Sequence, residues 1–487
     1  MANGPACCGA RLGCLADRLE EFATKELASA EVRAICHAWH GIAGGRGHYT
    51  SVMNGTDAIE PPCDVTCEYP AGCRRAWLFW LLPALFFLYE FMLRVSPSVV
   101  ESTLQSEFSA TAAAFGLTMG MYYYAYAPMQ LVVGLLLDKF GSRRPLAIAA
   151  VVCALGAALF AMATSLGMLG AGRLLEGVGS AFAYVGTIYV ASVWFPSSRL
   201  AFIAGVTAAL GMAGAVAGET VLSHIDQSLD WRMSTWGLAI VALGLGIGIW
   251  ILVPKRPAWF EHNVLTSRRK HGGGIFSGLS CVLRSRQTWI LSLITGMLYL
   301  PVGTFGALWG DSYMASCLKL SASEAANADA MIFVGIAISA PFLGWLADRT
   351  GDHRRVLVIG LLIAIVATVG LLMLSSSDSS AAFPLLFVLG FGVGSMVVAF
   401  PMAMELNPHH ARGAAITFVN FFQMLLAGIG QWFIGVLLDW GKPTGSAATY
   451  DVSDYRTAFL MLPVGLVLAL GLSFFLRAPS QLPSVEP

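Results

Sequence analysis

The sequence predicts an all-α membrane protein of twelve transmembrane helices, arranged as two six-helix repeats. Three observations predict it. The 487 residues are 56% hydrophobic and only 12% charged, with mean hydropathy +0.69, a balance that soluble domains of this length do not show. Apolar runs of about 20 residues, the length needed to cross a bilayer, recur twelve times. A loop pattern in the first half of the chain returns in the second. The formal net charge is zero and the pI is 7.1, so nothing points to nucleic acid. The 52 glycines suit close helix packing in lipid.

Residues 1–73 differ in kind. They hold seven of the ten cysteines (Cys7, Cys8, Cys14, Cys36, Cys63, Cys67, Cys73) and no spanning run. No charged segment followed by an apolar one marks a secretory signal. The spacing Cys63-x3-Cys67-x5-Cys73 fits no standard zinc pattern, so no metal is expected. We read a disordered cytoplasmic tail, with Met53 as an alternative start. Asn54-Gly55-Thr56 is a glycosylation sequon that a cytoplasmic tail would leave unused.

The spans are expected near 77–99, 113–137, 144–164, 168–194, 200–222, 233–253, 288–310, 327–347, 355–375, 382–404, 413–438 and 456–476. Residues 74–253 form one half and 287–477 the other, with a tail from 478 to 487. Between the halves lies a polar linker, 254–286, carrying Lys255, Arg256, Arg268, Arg269, Lys270, Arg284 and Arg286, which suits contact with anionic headgroups. Arg74, Arg75, Lys139, Arg143, Arg144, Arg199, Arg349, Arg354, Arg355, Arg412 and Arg477 fall on the linker's side. The opposite loops hold Arg232, Lys319, Lys442 and Arg456. Basic loops stay in the cytoplasm, so the linker side and both termini are placed there.

The repeat is explicit. Gly134, Asp138 and Gly141 after the second span recur at Gly344, Asp348 and Gly351 after the eighth, each displaced by 210 positions (134 to 344, 138 to 348, 141 to 351). Halves in the same orientation imply a duplicated unit. Asp138 and Asp348 end their own helices, the unfavourable end of the dipole for an anion. They make sense against the starts of other helices. We expect Asp138 to meet the start of span eleven, near Arg412, and Asp348 the start of span five, near Arg199. With Arg143 and Arg349, they are the candidates for gating that side.

The loop, written GxxxDxxGxRR, resembles the signature of the major facilitator superfamily, and the resemblance extends over about residues 77–476. Gly172-Arg173-Leu174-Leu175-Glu176-Gly177 resembles that family's fourth-span motif. Gly205, Gly211, Gly214 and Gly218 resemble its glycine-rich fifth span, although Glu219 stands where a proline is usual. Tyr89-Glu90-Phe91-Met92-Leu93-Arg94 is similar to the first span of bacterial phagosomal-type amino-acid transporters and, more distantly, of lysosomal dipeptide transporters. Anion:cation symporters also place an arginine there. The resemblance implies two halves rocking about a central cavity and leaves the substrate open.

Charges inside the spans are few. Of 29 Lys and Arg, Arg94 and Arg173 alone lie within them, beside Glu90, Glu176 and Glu219. Each costs roughly 2.5–3.5 kcal/mol at mid-membrane on insertion scales, so such residues are candidates for function. Glu90 and Arg94 are four apart, one helical turn on one face. Either they neutralise each other, or Arg94 clamps a carboxylate with its planar fork while Glu90 holds an ammonium or a coupling proton. Arg173 and Glu176 read as a structural pair or as a proton or gating relay. Glu219, near a span end, is expected to snorkel to the surface. Tyr89, Tyr123, Tyr126, Tyr299, Asn420 and Gln423 are candidates to complete the substrate site. No phosphate loop, HExxH or GxSxG is present, so no enzyme and no cofactor is expected.

The expected function is proton-coupled secondary transport of a small zwitterion, an amino acid or short peptide, by a monomer in the bacterial inner membrane. A small organic anion held by Arg94 alone is the alternative. A non-transporting membrane sensor is the reading from another class.

Overall fold

The computed structural model describes residues 74–226, 230–255, 275–442 and 450–477. The cysteine-rich tail, Met53, the Asn54 sequon, most of the linker and the C-terminal tail lie outside the described residues.

Among the described residues, twelve helical segments, some built of several consecutive helices, carry the chain back and forth. They are α1 (Arg74–Val99), α2 (Ala112–Phe140), α3 (Arg143–Ala161), α4 (Leu166–Trp194), α5 (Ser197–Asp226) and α6 (Trp231–Leu252). The second half contains α7 (Arg286–Leu318), α8 (Ala322–Thr350), α9 (His353–Met373), α10 (Ser376–Glu405), α11 (Arg412–Leu438) and α12 (Val452–Ser473). Eleven are long and apolar enough to span a membrane. The twelfth, α2, is the longest unbroken helix of the first half after α5, and its four tyrosines, Gln130 and Asp138 lower its hydropathy. No strand occurs among the described residues. A short helix, Glu101–Glu107, follows α1, and another, Ile275–Arg284, precedes α7.

Local chemistry sets the boundaries. Thr111 caps α2 by accepting from the Ala114 amide, and Ser321 with Glu324 closes a capping box on α8. The two repeated loops turn at Gly141 (φ 74°) and Gly351 (φ 65°). These are left-handed conformations that glycine adopts without a Cβ clash, which explains that part of the repeat. Pro301 has no amide to donate, and from Pro301 to Trp309 α7 widens into π turns.

Two seams join the halves: α2 against α11, and α5 against α8. α1 also meets the π segment of α7. Along the first seam, a Cβ on Gly116 would lie 2.3 Å from the Gln431 carbonyl oxygen, and one on Gly435 would lie 2.3 Å from that of Ala112. The backbones touch because no side chain intervenes. At the other end of the same helices, a Cβ on Gly134 or Gly413 would meet nothing within 4 Å, and the same holds for Gly205 on α5. The halves are therefore closed at the end holding Ala112 and Gly435 and parted at the end holding the repeated loops.

This overturns one expectation for this conformation. Asp348 does not meet the start of α5. Its side chain is 81% exposed and its ion-pair partner is His353 of its own half, at 3.7 Å. The reason is the parting of the halves at that end.

Candidate functional site

α1 carries the centre of the site, and α5 fixes α1. Gly214 sits so close that a Cβ there would lie 2.0 Å from the Leu88 carbonyl oxygen, and Gly211 and Gly218 pack on Phe87 and Val95. The glycine row of span five is thus the bed of α1.

Glu90 and Arg94 form a direct ion pair, 0% and 3% exposed. The Arg94 Nε donates to Glu90 Oε1 at 3.1 Å, and Nη2 donates to the same oxygen. Nη1 reaches across to the second half and donates to the Tyr299 hydroxyl at 2.9 Å. The guanidinium lies 4.4 Å from the Phe91 ring centroid, 5.2 Å from Tyr126 and 5.7 Å from Tyr122, within range for cation–π attraction. Tyr122 donates its hydroxyl proton to Glu90 Oε1. Glu90 Oε2 is buried without a partner, an open acceptor beside the guanidinium.

Behind α1 stands the second pair. Arg173 Nη1 donates to Glu176 Oε2 at 2.8 Å, with both side chains at most 2% exposed. The same nitrogen donates to the Leu93 carbonyl at 3.1 Å, and Nη2 to that of Arg94 at 3.3 Å. In a regular helix the Leu93 carbonyl would accept from residue 97, which is proline. Pro97 removes that donor, and a buried carbonyl left unpaired costs on the order of 1–3 kcal/mol. Arg173 and the Ser96 hydroxyl, 3.0 Å away, replace it. The Tyr122 ring lies 4.6 Å from the Arg173 guanidinium, so this tyrosine is within cation–π range of both arginines.

The structure brings Glu90, Arg94, Tyr126 and Tyr299 together. Tyr123 is buried with an unpartnered hydroxyl. Tyr89 is buried beside Arg173, Glu176 and Cys153 rather than at the guanidinium. Gln423 is buried with an unpartnered amide nitrogen, and Asn420 is half-buried. Neither is among the partners of Arg94. The gating candidates lie at the parted end. Asp138 is half-buried, Arg143 lies 5.0 Å from the Trp250 ring, and Arg349 is exposed 5.4 Å from Trp345. Phe91 is a site residue that the sequence reading passed over, and Tyr122 was read there only as one of the clustered tyrosines of span two. Its spacing from Tyr126, four residues and hence one face of α2, was the available signal; the two rings stack at 5.9 Å.

Glu219 does not snorkel. It is 0% exposed, and the Ser98 hydroxyl lies 2.9 Å from both its oxygens and from the Val95 carbonyl, so its one proton is shared among them. Asp311 of α7 and Asp329 of α8 lie beside it.

Comparison with known proteins agrees with this architecture. The family model described as Major Facilitator Superfamily matches residues 80–316 and 291–487. The membrane sensor protein UhpC of Salmonella typhimurium is 25% identical over 79% of this chain and 89% of its own length. The lysosomal dipeptide transporter MFSD1 of Danio rerio is 20% identical over 73% of this chain and 77% of its own. A crystal structure of a bacterial homologue of the human lysosomal transporter Spinster, inward-facing and unoccupied, superposes with TM-score 0.68 at 14% identity, covering 83% of this chain and 97% of that one. With two six-helix halves, a repeated inter-helix loop and a family match over both halves, the chain belongs to the major facilitator superfamily and is a multi-pass membrane transporter, not an enzyme.

Proposed function

We propose that the protein carries a small zwitterionic solute, an amino acid or short peptide, by proton-coupled alternating access. The observation that carries this reading is the buried Glu90–Arg94 pair, tied by Tyr299 to the opposite half. Each charge neutralises the other, which offsets the burial of both. A zwitterion can exchange into the pair without changing its net charge. Its carboxylate takes the guanidinium, whose remaining N–H groups suit a planar fork, and its ammonium takes Glu90. Tyr122, Tyr126 and Tyr299 then wall the ligand from both halves, and Tyr299 reports occupancy to α7.

Arg173 has a positioning role in this scheme. It holds the Leu93 and Arg94 carbonyls and so fixes the direction in which Arg94 points. Glu176, its partner, and Glu90 are the groups placed to exchange a proton when the halves move. The basic linker and loops orient the parted end to the cytoplasm, so the state described here is inward-facing, in what we take to be a bacterial inner membrane.

Uptake into proteoliposomes tests the proposal. Amino acids or dipeptides should compete with one another for pH-driven uptake, and Arg94→Lys should reduce it by at least tenfold, because a point charge does not replace a bidentate fork. Glu90→Gln should remove the response to the pH gradient. Competition by sugar acids or dicarboxylates alone would support the organic-anion alternative, in which Arg94 acts without Glu90. One relative is a membrane sensor protein, which supports a third reading; ligand-induced stabilisation without flux would favour it.

A further inference from the structure

A second group of buried charges lies away from the Arg94 site, at the closed end. Glu219 of α5, Asp311 of α7 and Asp329 of α8 each present an oxygen, and these oxygens all lie within 4.8 Å of one another. They come from both halves: Glu219 from the first, Asp311 and Asp329 from the second. The hydroxyl of Ser98, at the end of α1, lies 2.9 Å from both Glu219 oxygens. Among the described residues no basic group pairs with any of the three.

Asp329 is the decisive residue. It is 0% exposed, and neither of its oxygens has a hydrogen-bond partner. Asp311 Oδ1 is likewise buried and unpartnered. Carboxyl groups that share protons approach one another at about 2.5–2.7 Å, and Asp329 makes no such contact. Its carboxylate faces the other two across a gap. Oxygens bound to one hard cation sit about 2.3–2.6 Å from it, which places them up to roughly 5 Å apart, the spacing seen here. An unpaired buried carboxylate is otherwise among the costliest groups a fold can hold.

We propose that Glu219, Asp311 and Asp329, with the Ser98 hydroxyl, bind a small hard cation that ties the two halves together at the closed end. The all-oxygen donor set excludes a preference for soft metals. Because the ligands come from opposite halves, the ion binds the closed arrangement and loses its site when that end opens. This inference does not depend on which solute the Arg94 site carries.

The test uses the full chain purified in detergent and read by thermal unfolding, which makes it independent of transport. CaCl2, MgCl2 and NaCl are titrated separately, with choline chloride holding the ionic strength constant. At least one of the three metal ions should raise Tm saturably, by roughly 2 °C or more at high occupancy. Asp329→Asn and Glu219→Gln should each abolish the response. Glu107→Gln, at the same end but paired to Arg232, should retain it. The proposal is overturned if no metal ion shifts Tm, if the shift survives both substitutions, or if acidification alone raises Tm and the metals add nothing.

Discussion

The two ends of the α2–α11 seam use the same device and stand in opposite states. At the closed end Asp439, just beyond α11, places its carboxylate on the start of α2: the Ala113 amide donates to it at 2.8 Å and the Ala112 amide at 3.1 Å. The Tyr450 hydroxyl braces the same carboxylate at 2.6 Å. An acid from one half thus caps a helix of the other, satisfying amides that a helix start leaves free. That is the arrangement sequence reasoning assigned to Asp138 and Asp348. The structure shows it at the opposite end, while Asp348 is exposed to solvent. The difference teaches that cross-half capping accompanies the end where the halves meet; we propose that the repeated loops make such contacts when their own end closes.

The strongest way to break this comparison is a pair of glycine substitutions on α2. Gly116→Leu forces a side chain against the Gln431 backbone, where even a Cβ would be 2.3 Å from the carbonyl oxygen. Overpacking of this kind costs about 1–3 kcal/mol or more, so Tm should fall by several degrees. Gly134→Leu enters open space and should leave Tm within about 1 °C while impairing transport, since that end must later close. Equal effects of the two on Tm would show that the ends do not differ.

A smaller effect is expected at the cap. Asp439→Ala removes the acceptor for two α2 amides and should cost about 1–2 kcal/mol, read as lowered Tm. Ala at Asp348, exposed in this state, should change Tm by less than about 1 °C by the same measurement.

A pH dependence is expected at the closed end, small over any one pH unit. Burial pushes the Glu101 carboxyl up from its ordinary 4.5 to about 8. The folded state therefore holds a proton that the unfolded chain has released between those two values. Stability should fall as pH rises through that window, by at most about 1.4 kcal/mol per unit for one such group. Glu101→Gln should flatten the Tm profile between pH 5 and 8. An unchanged slope would remove Glu101 from the account.

Much of this was legible along the chain because membrane physics acts on composition. Apolar runs, basic loops and the displacement between Asp138 and Asp348 need no knowledge of neighbours. The Glu90–Arg94 pair was legible for the same reason, since a helix fixes the geometry of residues four apart. Arg173 was legible as costly, but not as the donor that rescues the carbonyl orphaned by Pro97. That role depends on where α4 crosses α1, which no local pattern specifies. Glu219 was misread because depth was judged from its place near a helix end. Its burial comes with Ser98 of α1 and with Asp311 and Asp329 of the second half, which lie far off in sequence.

The sequence by itself determined the number of spans, the duplication and which two close charge pairs lie inside the membrane, because hydropathy and helical spacing are local quantities. Tertiary structure alone decided which end is shut, that Tyr299 reaches Arg94 across the halves, and that Glu219, Asp311 and Asp329 converge. Each of these depends on how two rigid halves meet, and several placements of the halves satisfy the same local pattern. In a transporter that is the expected division, since the chain must support more than one such placement to do its work.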